Sequence, residues 1–372
     1  MKKILTICIP TYKRPLTLRR CINSVISQVE KFGLSDRVDI FVVNDASPDD
    51  TADILNEYIP LDYFNAVNRE HNLGMNINIK CMLAEVSCKS EYQLIITDDD
   101  FLQPNVLDDA VIFLSGRQEE QCKEAAIWTP RYSYTESGEI HCIVCDSFNE
   151  SKFIKPTTIN SSRYMLNGFV LSGLFVRASY IDFKFWETYS TNAFFPMIFV
   201  GDLLMRDGAY YWNRNIVHHT VLNKCHWESW GKNDLLIELK LLSDSLNSYR
   251  ILATKVVGVF ELAKFYLAAC PSIVGIIRNF MASENLKQDK SIIYKAIYEQ
   301  KSQGIFNVKL GLSMLMLHAL MVNVIVAGLK LIANRVLSFS SRSKLKRKYY
   351  LARATHYLEF LRSTPLVFRL IF

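Results

Sequence analysis

The sequence predicts an α/β fold with a mainly parallel sheet, followed by a helical C-terminal region. Three observations predict it. Short apolar runs rich in β-formers alternate with helically spaced segments as far as about residue 115, several of those runs end abruptly in polar clusters, and the strand signal fades after about residue 230. The composition agrees: 372 residues, 50% hydrophobic and 22% charged, support a sizeable core and argue against global disorder. A net charge of +6 is too modest to point to nucleic acid, and no nucleic-acid partner is expected. Nine cysteines, an odd number and scattered, read as reduced thiols rather than a disulfide framework.

Taken in order, Ile4–Ile9 is a buried strand stopped by Pro10. The basic-then-apolar start superficially resembles a signal peptide. The run is short, however, and no small-residue cleavage site follows it, so the expectation is a strand in a protein that is not secreted. Leu18, Cys21, Ile22, Val25, Ile26 and Val29 recur at three- and four-residue spacing, which predicts an amphipathic helix over 16–29. Val38–Val43 is the second strand, Thr51–Tyr58 a helix, Tyr63–Val67 a third strand, Ile77–Val86 a helix and Gln93–Thr97 a fourth strand. A helix is expected from Phe101 to about Leu114, mixed strands and loops over 125–180, and a helix ending near Gly208 followed by a strand. The domain boundary is placed between 232 and 233, giving domains 1–232 and 233–372.

In an open parallel sheet, ligands bind outside the carboxyl ends of the strands. Pro10-Thr11-Tyr12, Asn44-Asp45 and Asp98-Asp99-Asp100 each follow a predicted strand, so all three are expected to line one crevice. An acid at the position of Asp45 suits hydrogen bonding to a nucleoside, although NDASPDD is equally rich in turn formers. Neither GxGxxG nor GxxxxGK[ST] is present, so a diphosphate has no glycine-rich cradle and needs another source of positive charge. The Asp98–Asp100 triplet admits two readings at this point. One is a solvated turn in which an aspartate caps a helix, and the other is a site whose mutual repulsion is offset by a cation.

Four motifs, TICIPTYKRPLTLRRCINSVISQ, VVNDASPDDT, HNLGMNINI and IITDDDFLQP, occur in that order. Together they resemble the family 2 glycosyltransferases, inverting enzymes of the Rossmann-like GT-A fold, closely over about residues 1–115 and loosely to about 230. One departure is Thr97, which gives TDDD where many members carry D-x-D-D. The resemblance implies that Pro10, Thr11, Tyr12 and Arg14 approach the nucleotide of a donor, that Asp45 binds its base or ribose, and that Asn72 and Gly74 shape the loop beneath it. It also implies that Asp98 lies near the ribose or sugar, and that Asp99, with Asp100, touches a Mn²⁺ or Mg²⁺ ion on the diphosphate. Asp202 stands where the family places the general base, with Asp207 and Glu228 as reserves. The implied activity is metal-dependent transfer, with inversion, from a nucleotide-diphosphate sugar (UDP is the nucleotide expected) to a hydroxyl of a glycan or lipid-linked acceptor. A degenerate sugar-nucleotide-binding or scaffold protein is one alternative. A nucleotidyltransferase is another, against which the PTYKRP loop after the first strand argues.

The segment HHTVLNKCHWESW, rich in His and Trp, suits a loop closing over a ligand. With Cys142 and Cys145 it also admits a zinc reading, but the alternation IHCIVC suits a plain strand. Residues 310–329 carry no formal charge and are followed by the basic run SFSSRSKLKRKYY at Ser338–Tyr350. A membrane span, a helix lying in the interface and a buried helix of an accessory bundle all fit these features. A lipid-linked acceptor favours the second, with a cytoplasmic protein peripheral on the inner face of the cell membrane.

Overall fold

The computed structural model describes residues 2–134, 140–143, 148–220 and 235–281. The chain divides into two compact units, Met1–His226 and Trp227–Phe372. The boundary drawn from the sequence falls within 221–234, outside the described residues.

The first unit is built on an eight-stranded sheet. Its strands are β1 (Lys3–Thr11), β2 (Val38–Asn44), β3 (Phe64–Asn68), β4 (Ser90–Ile95), β6 (Ala126–Trp128), β9 (Lys152–Ile154), β10 (Leu174–Val176) and β11 (Ala209–Tyr211), in the order β3-β2-β1-β4-β10-β6-β11-β9. β3, β2, β1 and β4 are parallel neighbours, β6 and β11 pair in parallel, and only β10 and β9 run against their neighbours. The expected mainly parallel α/β sheet is therefore present.

β1 runs on through Pro10, where the sequence suggested a stop. Ile96 N donates to Cys8 O at 3.0 Å, so in the C-terminal half of β1 the even-numbered residues face β4. Pro10 has no N–H and cannot extend that ladder. Pairing with β4 ends at Cys8↔Ile95, whereas pairing with β2 continues to Thr11↔Asn44. Pro10 thus frees the chain after β4 to leave the sheet, and the acid triplet lies in that departing segment.

The helix α1 (Pro15–Phe32) buries Leu18, Cys21, Ile22, Val25, Ile26 and Val29, the stripe read from the sequence. Those side chains pack with Ile7, Ile9, Leu94 and Ile96 of the sheet and with Leu107, Val111 and Leu114 of a later helix in one core. The helices α2 (Thr51–Asn56) and α3 (Met75–Val86) complete the βαβ crossovers.

The expected helix from Phe101 starts later than predicted and runs past Leu114. Phe101–Leu102 is instead a strand, β5, and the helix, α4, spans Leu107–Glu119. Pro104 disfavours helical backbone just before it, and Asn105 adopts a left-handed φ of 57°. β5 pairs with β12 (Val217–Thr220), which with β7 (Tyr132–Tyr134) and β8 (Ile140–Ile143) forms a second, four-stranded sheet. The helices α5 (Thr158–Tyr164), α6 (Phe183–Tyr189) and α7 (Phe195–Arg206) follow, and α7 leads through Gly208 into β11 as expected.

The second unit contributes α8 (Leu235–Ala253) and α9 (Val259–Met281), which pack on each other across the connection 254–258. Among the described residues, no helix is long and apolar enough to cross a membrane. The uncharged segment 310–329, the basic run 338–350, Cys145 and Glu228 lie outside the described residues.

Candidate active site

The site forms where β1, β2 and β4 end side by side. After β4, Ile96 is still held by Cys8 O, and the chain then turns through Thr97, with Asp100 N donating to Thr97 O at 3.0 Å. A loop from the far side steadies this turn. Thr97 N donates to Ser172 Oγ at 2.8 Å, and the two hydroxyls lie 2.8 Å apart. Gly173 follows with φ 84°, a conformation that favours glycine, and its amide donates to Ile95 O at 3.0 Å.

Each acid of the triplet has a different environment. Asp98 is buried and accepts from Thr11 Oγ1 at 2.7 Å, Tyr12 N at 3.3 Å and Arg14 Nη1 at 3.0 Å. Burial pushes its carboxyl up to about 6, against the pull of Arg14 and with the push of Asp99. Asp99 is the most exposed of the three side chains and takes the same Arg14 nitrogen at 2.6 Å, while Arg20 Nη2 donates to its carbonyl at 2.9 Å. Asp100 is buried against His219 Nδ1 at 2.8 Å and accepts from Thr220 N at 3.0 Å. Burial alone would raise the Asp100 carboxyl, but His219 and the hydrogen bonds outweigh it, so it lies below the usual carboxylate range. Adjacent carboxylates that would repel one another are thus parcelled out to Arg14 and His219.

The loops after β1, β2 and β3 are stitched together at the same edge. Asp45 is buried and accepts from Leu73 N at 2.8 Å and Gly74 N at 2.9 Å. Gly74, at φ 79°, also donates to Asn72 Oδ1 at 3.0 Å. Lys13 N donates to Ser47 Oγ at 2.9 Å, and Ser47 N to Asn44 Oδ1 at 3.0 Å. Thr11, Tyr12, Arg14, Asp98 and Asp99 therefore form one group with Pro10 at its root. Asp45, Asn72 and Gly74 form a second group beside it.

Asp202 lies on a later helix. It is 2% exposed within α7 and pairs with Arg206 Nε at 3.1 Å. Arg206 Nη2 reaches Tyr180 O, past the end of β10 remote from the triplet. Asp207 pairs with Arg206 Nη1 at 3.5 Å, and burial raises its carboxyl.

Four participants are invisible to motif reading: Arg20, Ser172, His219 and Thr220. Arg20 lies on α1 six residues after Arg14, and its Nη2 also donates to Thr220 Oγ1 at 3.0 Å. In the sequence the His-His pair of HHT reads only as part of a loop, whereas β12 gives its two histidines separate surroundings. His218 is stacked between Phe101 and Tyr134, with centroids 4.3 and 4.0 Å away. Burial and Arg20 push its imidazole below the usual value. His219 turns inward to Asp100, and its Nε2 is buried without a hydrogen-bond partner. Among the described residues, no group of three His, Cys, Asp or Glu side chains converges as a metal site, so the zinc reading gains no support there.

Among solved structures, residues 1–349 of S. aureus TarS in complex with UDP-GlcNAc share 15% identity with this chain, with 76% of this chain and 83% of that one covered and a TM-score of 0.46. The Pyrobaculum calidifontis mannosyltransferase PcManGT, in complex with GDP-Man and Mn²⁺, shares 11% identity over 98% of this chain and 87% of that one, with a TM-score of 0.49. At such low identity and TM-score, neither likeness bears on this chain's site. No curated protein matches the sequence. Over residues 6–118, the segment that carries Thr11, Arg14, Asp45 and the whole acid triplet, the chain matches the model of Glycosyl transferase family 2, the family its four ordered motifs resemble.

Proposed function

We propose that this protein transfers a sugar from a nucleotide-diphosphate donor to a hydroxyl of a glycan or lipid-linked acceptor, with inversion. The family match supports sugar transfer. The observation that carries the finer reading is the clustering of Thr11, Arg14, Asp98 and Asp99 at one sheet edge, beside the loop that Asp45 pins. An edge that supplies carboxylates, a guanidinium and turned loops, but no glycine-rich phosphate cradle, suits a ligand whose phosphates are neutralised by cations.

Among the described residues, two side chains at this edge, fewer than a complete protein ligand set, are candidates to meet a divalent cation carried on the donor's phosphates. A cation at His219 would take the neutral imidazole, in which Nδ1–H stays on Asp100 and the buried, unpartnered Nε2 offers its lone pair. Asp99 has the least internal bonding of the triplet. Asp99 and His219 are therefore the ligands proposed for Mn²⁺ or Mg²⁺, with Asp100 orienting His219 in place of the direct contact expected from the sequence. The ion, when bound, neutralises charge on a departing nucleoside diphosphate. Arg14 holds Asp98 and Asp99 together and supplies positive charge at the same edge. Thr11 and Tyr12 fix the Asp98 carboxyl, and Asp45 holds the 72–74 loop in place.

For Asp202, the pairing of its buried carboxylate with the exposed Arg206 favours a role in holding α7, since a general base has to reach the acceptor hydroxyl. Binding tests the site directly. UDP or GDP with Mn²⁺ should raise the Tm of the wild type, because a ligand of the folded state stabilises it, and Asp99→Ala should lose that increment. An equal increment in the variant removes Asp99 from the cation site.

A further inference from the structure

The connection between α8 and α9 exposes apolar side chains with no polar purpose. Val257, Val259 and Phe260 are 89%, 79% and 85% exposed. Gly258 between them, at φ 94°, turns the chain into α9. No other stretch among the described residues presents three large apolar side chains within four positions. Leu267, 41% exposed, lies seven residues after Phe260 and so extends the same face up α9. Scattered exposed apolar residues need no explanation, but a contiguous apolar tip on a helix hairpin marks an interaction surface.

The charges around the tip indicate what it meets. Arg250, Lys255 and Lys264 lie within two turns of it, against a single acid, Glu261, which Lys264 Nζ already binds at 2.6 Å. A shallow apolar wedge in a basic collar is complementary to a bilayer interface with anionic headgroups, where the apolar side chains enter the acyl boundary and the lysines stay among the phosphates. The sequence of the same unit also carries the basic run 338–350. The wedge is too short to span, and neither helix is long and apolar enough to do so. We propose that Val257, Val259 and Phe260 insert into the surface of an anionic membrane and anchor the second unit there. This is independent of the sugar-transfer reading, so failure of either leaves the other standing.

The test is flotation of the full chain with vesicles of phosphatidylglycerol and phosphatidylcholine, against phosphatidylcholine alone. Wild type should float with the anionic vesicles and progressively less as salt is raised. V257S/V259S/F260S should weaken that binding by roughly a hundredfold, at unchanged circular dichroism. A second arm does not depend on the triple variant folding. F260W should show, relative to wild type, added tryptophan emission that lipids brominated on their acyl chains quench. No flotation of wild type, a triple variant that floats as wild type does, or an F260W emission untouched by the brominated chains would each overturn the proposal. So would self-association of the wild type without lipid that the triple substitution abolishes, since the tip would then be a protein interface.

Discussion

Asp98 shows how finely three adjacent aspartates are distinguished by their surroundings. Its carboxyl accepts from a hydroxyl, an amide and a guanidinium, all of which favour the charged form, yet burial still places it at about 6 rather than 3.8. Because the folded value lies above the unfolded one, the folded state holds this proton better. Asp98 therefore subtracts stability as pH rises from about 4 to about 6, and by a constant amount above that, at most about 3 kcal/mol. Urea midpoints at about pH 4 and about pH 7 should show this loss in wild type relative to Asp98→Asn; the same change in both proteins would mean that Asp98 ionises normally. The three aspartates stand out in the sequence, but their division does not. Arg14 is read there as a donor contact, and its simultaneous hold on Asp98 and Asp99 comes only from the turn after β4 lying over the loop after β1.

At the scale of elements, α4 carries a similar lesson. Its N-cap position is Val106, which has no capping side chain. The cap comes from α1 instead. Gln28 Oε1 accepts from Val106 N at 2.8 Å and Leu107 N at 3.0 Å, while its Nε2 donates to Gln103 O at 3.0 Å and Ser24 O at 3.1 Å. A buried glutamine inside the apolar stripe of α1 thus pins the segment that connects the acid triplet to α4. Gln28→Ala leaves amides at a buried helix start without acceptors and should cost about 2–4 kcal/mol in urea denaturation. A cost within the few tenths typical of surface changes would show that water replaces the cap. The helical stripe of α1 and the alternation of strands through β4 are legible because burial on one face imposes a period. The start of α4, the strand β5 and the second sheet are not, because they depend on partners far along the chain, in the case of Leu102 with Val217 more than a hundred residues away.

For the whole molecule, the sheet order explains why residues scattered from Pro10 to Thr220 share one edge. β1 sits between β2 and β4, so the loops after all three emerge together, and β10, running antiparallel beside β4, starts where β4 stops and brings in Ser172. β12 delivers His219 and Thr220 from a separate sheet. The first three of these ends could be placed from the rule that ligands meet parallel strands at their carboxyl ends. The last two could not, because β10 and β12 are short and carry no motif. Asp202 lies in the later turns of α7, and its carboxylate is paired with Arg206.

The central claim is that this edge activates a nucleotide sugar with the help of a cation. Release of nucleoside diphosphate from UDP- and GDP-sugars, followed with and without Mn²⁺ in wild type, Asp99→Ala and Asp202→Asn, tests it most directly. Wild type should release nucleoside diphosphate from at least one of these donors only with the metal, and Asp99→Ala should fall at least about a hundredfold, the scale of losing one charge-stabilising group. Asp202→Asn should turn over at close to the wild-type rate. Abolished turnover in Asp202→Asn with donor binding intact would restore Asp202 as the general base. Metal-independent release, or Asp99→Ala as active as wild type, would contradict the account.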